Sequence, residues 1–346
     1  MVALLLVQEE GPVAVEEENR ILIVDDEPIN LKVLAAILED DYAVSEAQNG
    51  AEALRAVGES APDLILLDVK MPEIDGYEVC RKLKADPATR EIPVIFLTSK
   101  TDVEDETEGF LAGAVDYIAK PYNPVIVKAR VNTHIALVEQ HRITERLLAN
   151  TLPQRIIQQL KDTGEARPES FENASLLFAD IVDFTSISAS LTAEFLISEL
   201  SDIYSAFDEI VERHDCERIK TIGDAYFAVS GIPDPNPEHA ANMVRCGLGF
   251  IRHLEARNAT RDQQWEIRVG IHSGNVVGGI VGTKKYLYDV FGDAVNMASR
   301  IETATKPMQV GISAATYDLV KEKFRCALHG PVHLKGKGEE ELWFVA

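Results

Sequence analysis

The stretch Arg218–Val229, RIKTIGDAYFAV, reads as two short strands around a tight turn. Ile219, Ile222 and the run Tyr226–Val229 are strand formers, and Gly223-Asp224 is a turn pair. Lys220 stands inside the first strand and Asp224 at the turn. A lysine buried without a partner carries a large desolvation cost. A strand that keeps one is placing a charge for use.

Outward from this hairpin, strands and helices mix without strict alternation, which predicts an α+β domain. Ser175–Ala179 (SLLFA) is strand-like and runs into Asp180-Ile-Val-Asp-Phe-Thr185. Residues 192–212 read as a helix capped by Thr192. Ile267–His272 reads as a strand entering a glycine-rich segment, Tyr286–Val290 as a strand, Asp293–Ala304 as a helix and Leu342–Val345 as a closing strand. Asp180 and Asp224 each follow an apolar strand. Two such carboxylates on adjacent strands can hold a pair of divalent ions, the arrangement that activates an attacking oxygen and stabilises a leaving one in phosphoryl chemistry.

The segments FADIVDFT, IKTIGDAYF, VGIHSGNVVGGIVG, YDVFGDAVNMASR and HLKGKGE occur in that order, and residues 170–346 resemble the catalytic domain of class III nucleotidyl cyclases. The resemblance implies a ferredoxin-like core. It implies that Asp180 and Asp224, helped by the backbone of Ile181, bind two Mg²⁺ or Mn²⁺ ions. Asn296 would orient the ribose. Arg300, four residues on and on the same helix face, would stabilise charge at the α-phosphate. Lys335 would hold the terminal phosphates, a role that neighbouring Lys337 could share. Lys220 and Asp289 would read the base. Lysine donates to adenine N1 and aspartate accepts from the N6 amino group; guanine offers the reverse pattern, so the pair points to ATP. Relatives that use GTP typically carry Glu where Lys220 stands. In this family the metal-binding and base-reading halves come from different chains, and one chain here carries both, so a homodimer with two composite sites is expected. The ribose 3′-OH would attack the α-phosphorus to give cyclic AMP and pyrophosphate. Asp183 departs from the pattern, standing where glycine is usual, and is expected to face solvent. His272 is expected to pack in the core, and Lys284 and Lys285 to be solvated.

Upstream, residues 20–140 alternate strand and helix, a doubly wound α/β pattern. Apolar runs end at Asp25-Asp26, Asp68, Thr98-Ser99 and Lys120-Pro121. In such sheets ligands bind beyond the carboxyl ends of the strands, and three carboxylates gathered there call for a cation with oxygen ligands, Mg²⁺. The segments ILIVDDEP, LILLDVKMPEIDGYE, IFLTSK and DYIAKP resemble a response-regulator receiver domain of flavodoxin-like fold. That resemblance implies Asp68 as phospho-acceptor, Asp25 and Asp26 as partners in the Mg²⁺ site, Thr98 as the grip on the phosphoryl oxygen, Lys120 as the family's ion-pair lysine and Tyr117 as an aromatic switch. A histidine kinase or another phospho-donor would supply Asp68.

The expected organisation is a flexible tail over 1–19, a receiver over 20–124 whose final helix runs on from 125, a helical linker over 125–169 and the cyclase domain over 170–346. Asn123-Pro124 starts the linker helix. Val131, Ile135 and Val138 have the spacing of a short coiled coil. Leu147–Pro153 and Ile156–Leu160 form an apolar joint, and 161–170 reads as a loop.

The 346 residues suffice for two or three domains, and 46% hydrophobic content suits a full core. A net charge of −23 argues against a nucleic-acid partner but not against a nucleotide substrate. The four cysteines are widely spaced, as in a reduced, cytoplasmic protein. No apolar run is long enough to span a membrane. The reading is a response-regulator adenylate cyclase. Its rivals are a guanylate cyclase and an inert phospho-dependent dimerisation module.

Overall fold

The computed structural model describes residues 19–99, 111–282 and 286–346. The expected tail, apart from Asn19, and the pair Lys284-Lys285 lie outside the described residues. The chain divides into two compact units, Met1–Arg146 and Leu147–Ala346.

The first unit is a five-stranded parallel sheet in the order β2-β1-β3-β4-β5, the flavodoxin-like order. Its strands are β1 (Arg20–Val24), β2 (Ala43–Ala47), β3 (Leu64–Asp68), β4 (Val94–Ser99) and β5 (Asp116–Lys120). Between them run α1 (Pro28–Leu38), α2 (Gly50–Glu59) and α3 (Gly76–Ala85). Alternate residues feed opposite faces. Ile21 and Ile23 join a cluster with Leu31, Leu34 and Ile95, whereas Leu22 and Val24 pack with Ala53, Val57 and Val79. A Cβ on Gly76 would lie 2.2 Å from the Asp68 carbonyl oxygen, so only glycine lets α3 begin this close to the end of β3.

Helix α4 (Pro124–Ala149) starts as the sequence suggests, with the Asn123 side chain accepting from Val125 N at 3.0 Å. Its apolar stripe has a different use from the expected one. Val127, Val131 and Ile135 are buried against β1, β3 and β5, so two of the three residues read as a coiled-coil seam belong to the core of this unit. The 4–3 spacing is common to both arrangements, and sequence spacing does not say which surface covers the stripe.

The second unit is a mixed sheet in the order β12-β13-β11-β9-β6-β8-β7, with β10 paired to β9. Its first elements are α5 (Gln154–Thr163), β6 (Glu169–Ile181), α6 (Phe184–Ser188), α7 (Ala193–Arg213), β7 (Glu217–Ile222), β8 (Ala225–Ser230), α8 (His239–Asn258) and β9 (Ile267–Val281). There follow β10 (Leu287–Phe291), α9 (Asp293–Ala304), β11 (Gln309–Ser313), α10 (Ala314–Val320), β12 (Cys326–Leu334) and β13 (Gly338–Val345). The run β9-β6-β8-β7 with α7 and α8 is the ferredoxin-like core. One face buries Leu177, Ala179 and Ile181 against α7 and α8; the other buries Leu176 and Phe178 with residues of α5 and α9.

Three local readings change. The strand read over Ile267–His272 does not stop there; β9 continues through the glycine-rich segment to Val281, hydrogen-bonded to β6 and then β10. The expected loop over 161–170 is shorter, because α5 runs to Thr163, ends on Gly164 at φ 73°, and β6 begins at Glu169. The joint residues Leu152, Ile156 and Ile157 are core of this unit, packed with Phe171 and Phe227.

Candidate active site

In the first unit the parallel strands bring their carboxyl ends together. Asp25 follows β1 and is fully buried, Asp26 is exposed, and Asp68 closes β3 at 5% exposure. Each offers an oxygen within 4.8 Å of the others. Lys120, the last residue of β5, reaches between them, 2.8 Å from Asp25 Oδ2 and 2.9 Å from Asp68 Oδ2. Asn30 Nδ2 and the Tyr122 hydroxyl also donate to Asp25, at 2.9 and 3.3 Å. Burial pushes the Asp68 carboxyl up; Lys120 pulls it back, and Asp25 and Asp26 add to the rise. A trio of oxygen donors with one lysine suits a hard divalent cation. Thr98 is the penultimate residue of β4, half-buried, and its hydroxyl donates to the Ser99 carbonyl at 3.3 Å. Tyr117 is half-buried against the core, with the Arg130 guanidinium 5.3 Å from its ring centroid and Arg130 itself paired to Asp116.

In the second unit Asp180 sits one residue before the end of β6, and Asp224 at the β7–β8 turn. Because β6 pairs with β8 and β8 with β7, the two carboxylates meet at one end of the sheet. Burial, then the charge of Asp180, push the Asp224 carboxyl up. Ile181 has its side chain in the core at 3% exposure, which leaves its main chain for the site. Tyr204 on α7 donates its hydroxyl to the Asp224 carbonyl at 2.9 Å and fixes the turn.

The sequence reading missed Arg268. It opens β9 in register with Asp180, donates through Nη2 to Asp180 Oδ2 at 3.0 Å, and through Nε to Glu302 Oε1 at 2.9 Å. A Cβ on Gly270 would lie 2.0 Å from Glu302 N, so this glycine lets α9 lie directly on β9 and bring Glu302 to Arg268. The legible signal was a charge two residues before GIHSG, on the same apolar strand.

Lys220 is not buried as its neighbours suggested. Its side chain keeps 29% of its exposure, and its Nζ donates to Asp289 Oδ2 on β10. Asp289 is 7% exposed, and its other oxygen accepts from Val290 N at 2.9 Å. Asn296 and Arg300 lie on α9. Asn296 is exposed, and its side chain makes no hydrogen bond among the described residues. Arg300 carries a buried Nη1 without a partner and lies beside the Leu334–Gly338 turn, where a Cβ on Gly336 would be 3.9 Å from Nη2. Lys335 in that turn is exposed; Lys337 is bound to Asp293, the first residue of α9, and that bond holds the Asp293 carboxyl low. No hydrogen bond among the described residues joins the Asp180–Asp224 pair, the Lys220–Asp289 pair and Arg300 to one another.

Asp183 is exposed and left-handed at φ 54°, a conformation aspartate tolerates and glycine favours. His272 is half-buried, hydrogen-bonded to Ser313 at 2.8 Å.

Residues 166–346 match the family model described as Adenylate and Guanylate cyclase catalytic domain, and residues 21–132 match that of the Response regulator receiver domain. The chain is 38% identical over 207 residues to an adenylate cyclase of Mycobacterium tuberculosis, covering 60% of this chain and 47% of that protein. It is 36% identical over 217 residues to the guanylate cyclase soluble subunit beta-2 of Rattus norvegicus, covering 62% of this chain and 32% of that one. The chain thus spans about half, or less, of the curated relatives it matches. The guanylate cyclase domain of RhGC from Catenaria anguillulae, solved with GTP, superposes with a TM-score of 0.50 at 31% identity, covering 51% of this chain and 98% of that one. Among the described residues no helix is long and apolar enough to cross a membrane. This chain belongs to the adenylate and guanylate cyclase catalytic domain family and carries a response regulator receiver domain ahead of its catalytic domain.

Proposed function

We propose that this chain is an adenylate cyclase, acting as a homodimer under the control of its receiver. The observation that carries the choice of base is the Lys220–Asp289 pair. The two side chains hold each other across β7 and β10. Adenine entering between them offers an acceptor to the lysine and donors to the aspartate; guanine would leave both mismatched. The relatives include both adenylate and guanylate cyclases, so this pair, and not overall similarity, supports ATP.

Asp180 and Asp224 fit divalent cations: they are oxygen donors, burial and then the charge of Asp180 push the Asp224 carboxyl up, and Arg268 touches only one of them. With Mg²⁺ or Mn²⁺ bound there, Lewis-acid chemistry would be available to the 3′-OH and to the departing pyrophosphate. The chain's own residues would do the rest. Lys220 and Asp289 fix the base, and exposed Asn296 orients the ribose. Arg300, with a buried donor lacking a partner, supplies a fixed positive group for charge developing on the α-phosphate. Lys335, left free while Lys337 is tied to Asp293, reaches the terminal phosphates. Arg268 offers a second cation beside the acids.

The homodimer reading rests on the separation of these groups and on an exposed apolar surface. Val277 and Phe291, and Val281 and Leu287, are cross-strand pairs on the β9–β10 hairpin, each residue 40–50% exposed. In the receiver, Lys120 touching both Asp25 and Asp68 is the arrangement that a phosphoryl group on Asp68 would disturb, and we assign control of the cyclase to that event.

The deciding experiment incubates the purified chain with ATP or GTP and Mg²⁺ or Mn²⁺, and separates products by chromatography. Cyclic AMP with little cyclic GMP is expected. Cyclic GMP as main product would overturn the base reading, and no cyclic product from a folded dimer would favour the inert module. Turnover unchanged by a phospho-donor and by Asp68→Asn would overturn the control reading.

A further inference from the structure

Two of the four cysteines are neighbours in space although 30 positions apart in sequence. Cys246 Sγ lies 3.6 Å from Cys216 Sγ. Cys246 sits in the middle of α8 at 0% exposure, packed in the core. Cys216 immediately precedes β7, is half-buried, and lines a cavity of about 660 Å³ together with Arg218, Lys220 and Tyr288. Its main chain is fixed, with Cys216 N donating to the Val211 carbonyl at 3.0 Å. One thiol is thus reachable from solvent, the other is shielded behind it, and both backbones are held by packed elements. A disulfide bond is about 2.0 Å long, so the two sulfurs have to close from 3.6 Å to form one. Cys80 donates to the Ala112 carbonyl and Cys326 to the Phe324 carbonyl, and neither has a thiol neighbour among the described residues.

We propose that Cys216 and Cys246 are a redox-closable pair, oxidised by a hydroperoxide to a disulfide that ties the start of β7 to α8 and thereby shifts Lys220. The Cys216 sulfur attacks the peroxide, breaking its O–O bond, to give a sulfenic acid and one alcohol, or one water from hydrogen peroxide. The Cys246 sulfur then attacks the Cys216 sulfur, and the hydroxyl leaves as water with the thiol proton. The two thiols lose two electrons, the peroxide gains them, and a dithiol reductant reverses the bond. The order follows from exposure: the solvent-facing sulfur meets the oxidant, and the hydrogen bond to Cys216 and burial both keep Cys246 protonated until its partner is activated. The consequence follows from topology. β7 is an edge strand of the core, laddered among the described residues with β8 alone, so the sheet holds it on one side. It carries Lys220 four residues after Cys216 and ends at the Asp224 turn.

The test uses the full chain, reduced and then exposed to hydrogen peroxide, alkylated, digested and analysed by mass spectrometry without reductant. A peptide joining Cys216 to Cys246, lost on adding dithiothreitol, with Cys80 and Cys326 still alkylated, is the expected result. Cys246→Ala should leave Cys216 as a sulfenic acid that dimedone traps, and Cys216→Ser should yield no cross-linked peptide. Oxidation of Cys80 or Cys326 without that peptide would overturn the proposal. So would equal over-oxidation of Cys216 in wild type and Cys246→Ala. The cross-link reads the pair whether or not the chain is an adenylate cyclase. Nucleotide turnover then tests the consequence: a several-fold loss on oxidation in wild type, restored by dithiothreitol and absent in Cys246→Ala, is expected, and unchanged turnover of the cross-linked protein would overturn the shift of Lys220.

Discussion

The two acidic sites of this molecule meet the same difficulty in different ways. In the receiver, Asp25, Asp26 and Asp68 converge at the ends of two parallel strands, and Lys120 from a third strand end bridges two of them. Every residue the site needs is supplied by neighbouring strands of one sheet. In the cyclase unit, Asp180 and Asp224 converge at the end of an antiparallel core, and the cation beside them, Arg268, contacts only Asp180 and is shared with Glu302. Among the described residues Lys220, Asn296, Arg300 and Lys335 make no hydrogen bond to those acids. The first site gathers its groups from the strands of one sheet; the second, on the reading proposed above, is divided between two chains. A parallel sheet gathers all its carboxyl ends on one edge, whereas an antiparallel core sends alternate strand ends in opposite directions.

The sharpest way to break that contrast is at the acids of the cyclase unit. Asp224→Ala should lower cyclic AMP formation by about 10³-fold, since it removes a ligand for the ions that the chemistry needs. Mixing Asp224→Ala with Arg300→Ala chains should then restore roughly a quarter of wild-type turnover, because half the dimers are mixed and each holds one intact site of two. A mixture as inactive as its components would mean that one chain builds its own site.

Lys220→Glu should cost about 10²–10³-fold in kcat/KM for ATP and raise relative use of GTP, as expected when a buried hydrogen-bonding edge is reversed. Equal losses for both nucleotides would show that the pair holds structure and does not read the base.

Arg268→Met leaves Glu302, at 6% exposure, without its cation. Denaturant unfolding should show a loss of about 2–3 kcal/mol, toward the low end for a broken buried pair because Arg268 is itself partly in water. A neutral result would mean that the bridge between Asp180 and α9 is not what holds that helix.

The smallest effect belongs to the receiver. Burial raises the Asp68 carboxyl above its ordinary 3.8. The folded form therefore keeps its proton to higher pH than the unfolded chain, and metal-free stability falls as pH rises from about 4 through the folded value. Asp68→Asn should abolish that part of the slope and raise the metal-free Tm at neutral pH by a few degrees. A lowered Tm would mean that the ion pair to Lys120 outweighs the desolvation.

Much of this was readable from the chain because the signals are local. Asp25, Asp68 and Lys120 each follow an apolar run, and the hairpin around Gly223-Asp224 announces itself by its turn. The stripe on α4 was not readable in the same way: Val131 and Ile135 have the spacing of a seam and the burial of a core, and the spacing is identical for both. Arg268 escaped because its meaning lies in a strand register with Asp180, 88 positions away.

The sequence by itself determined two fold classes, the order of the motifs and the residue types at each strand end, since these depend on periodicity and on neighbours along the chain. Tertiary structure alone decided which groups meet where the sequence offered no pairing: Arg268 with Asp180 and Glu302, Cys216 with Cys246. Such pairings are set by register between strands and by how closely a helix can approach a sheet, distances of a few ångströms that periodicity along one chain does not encode.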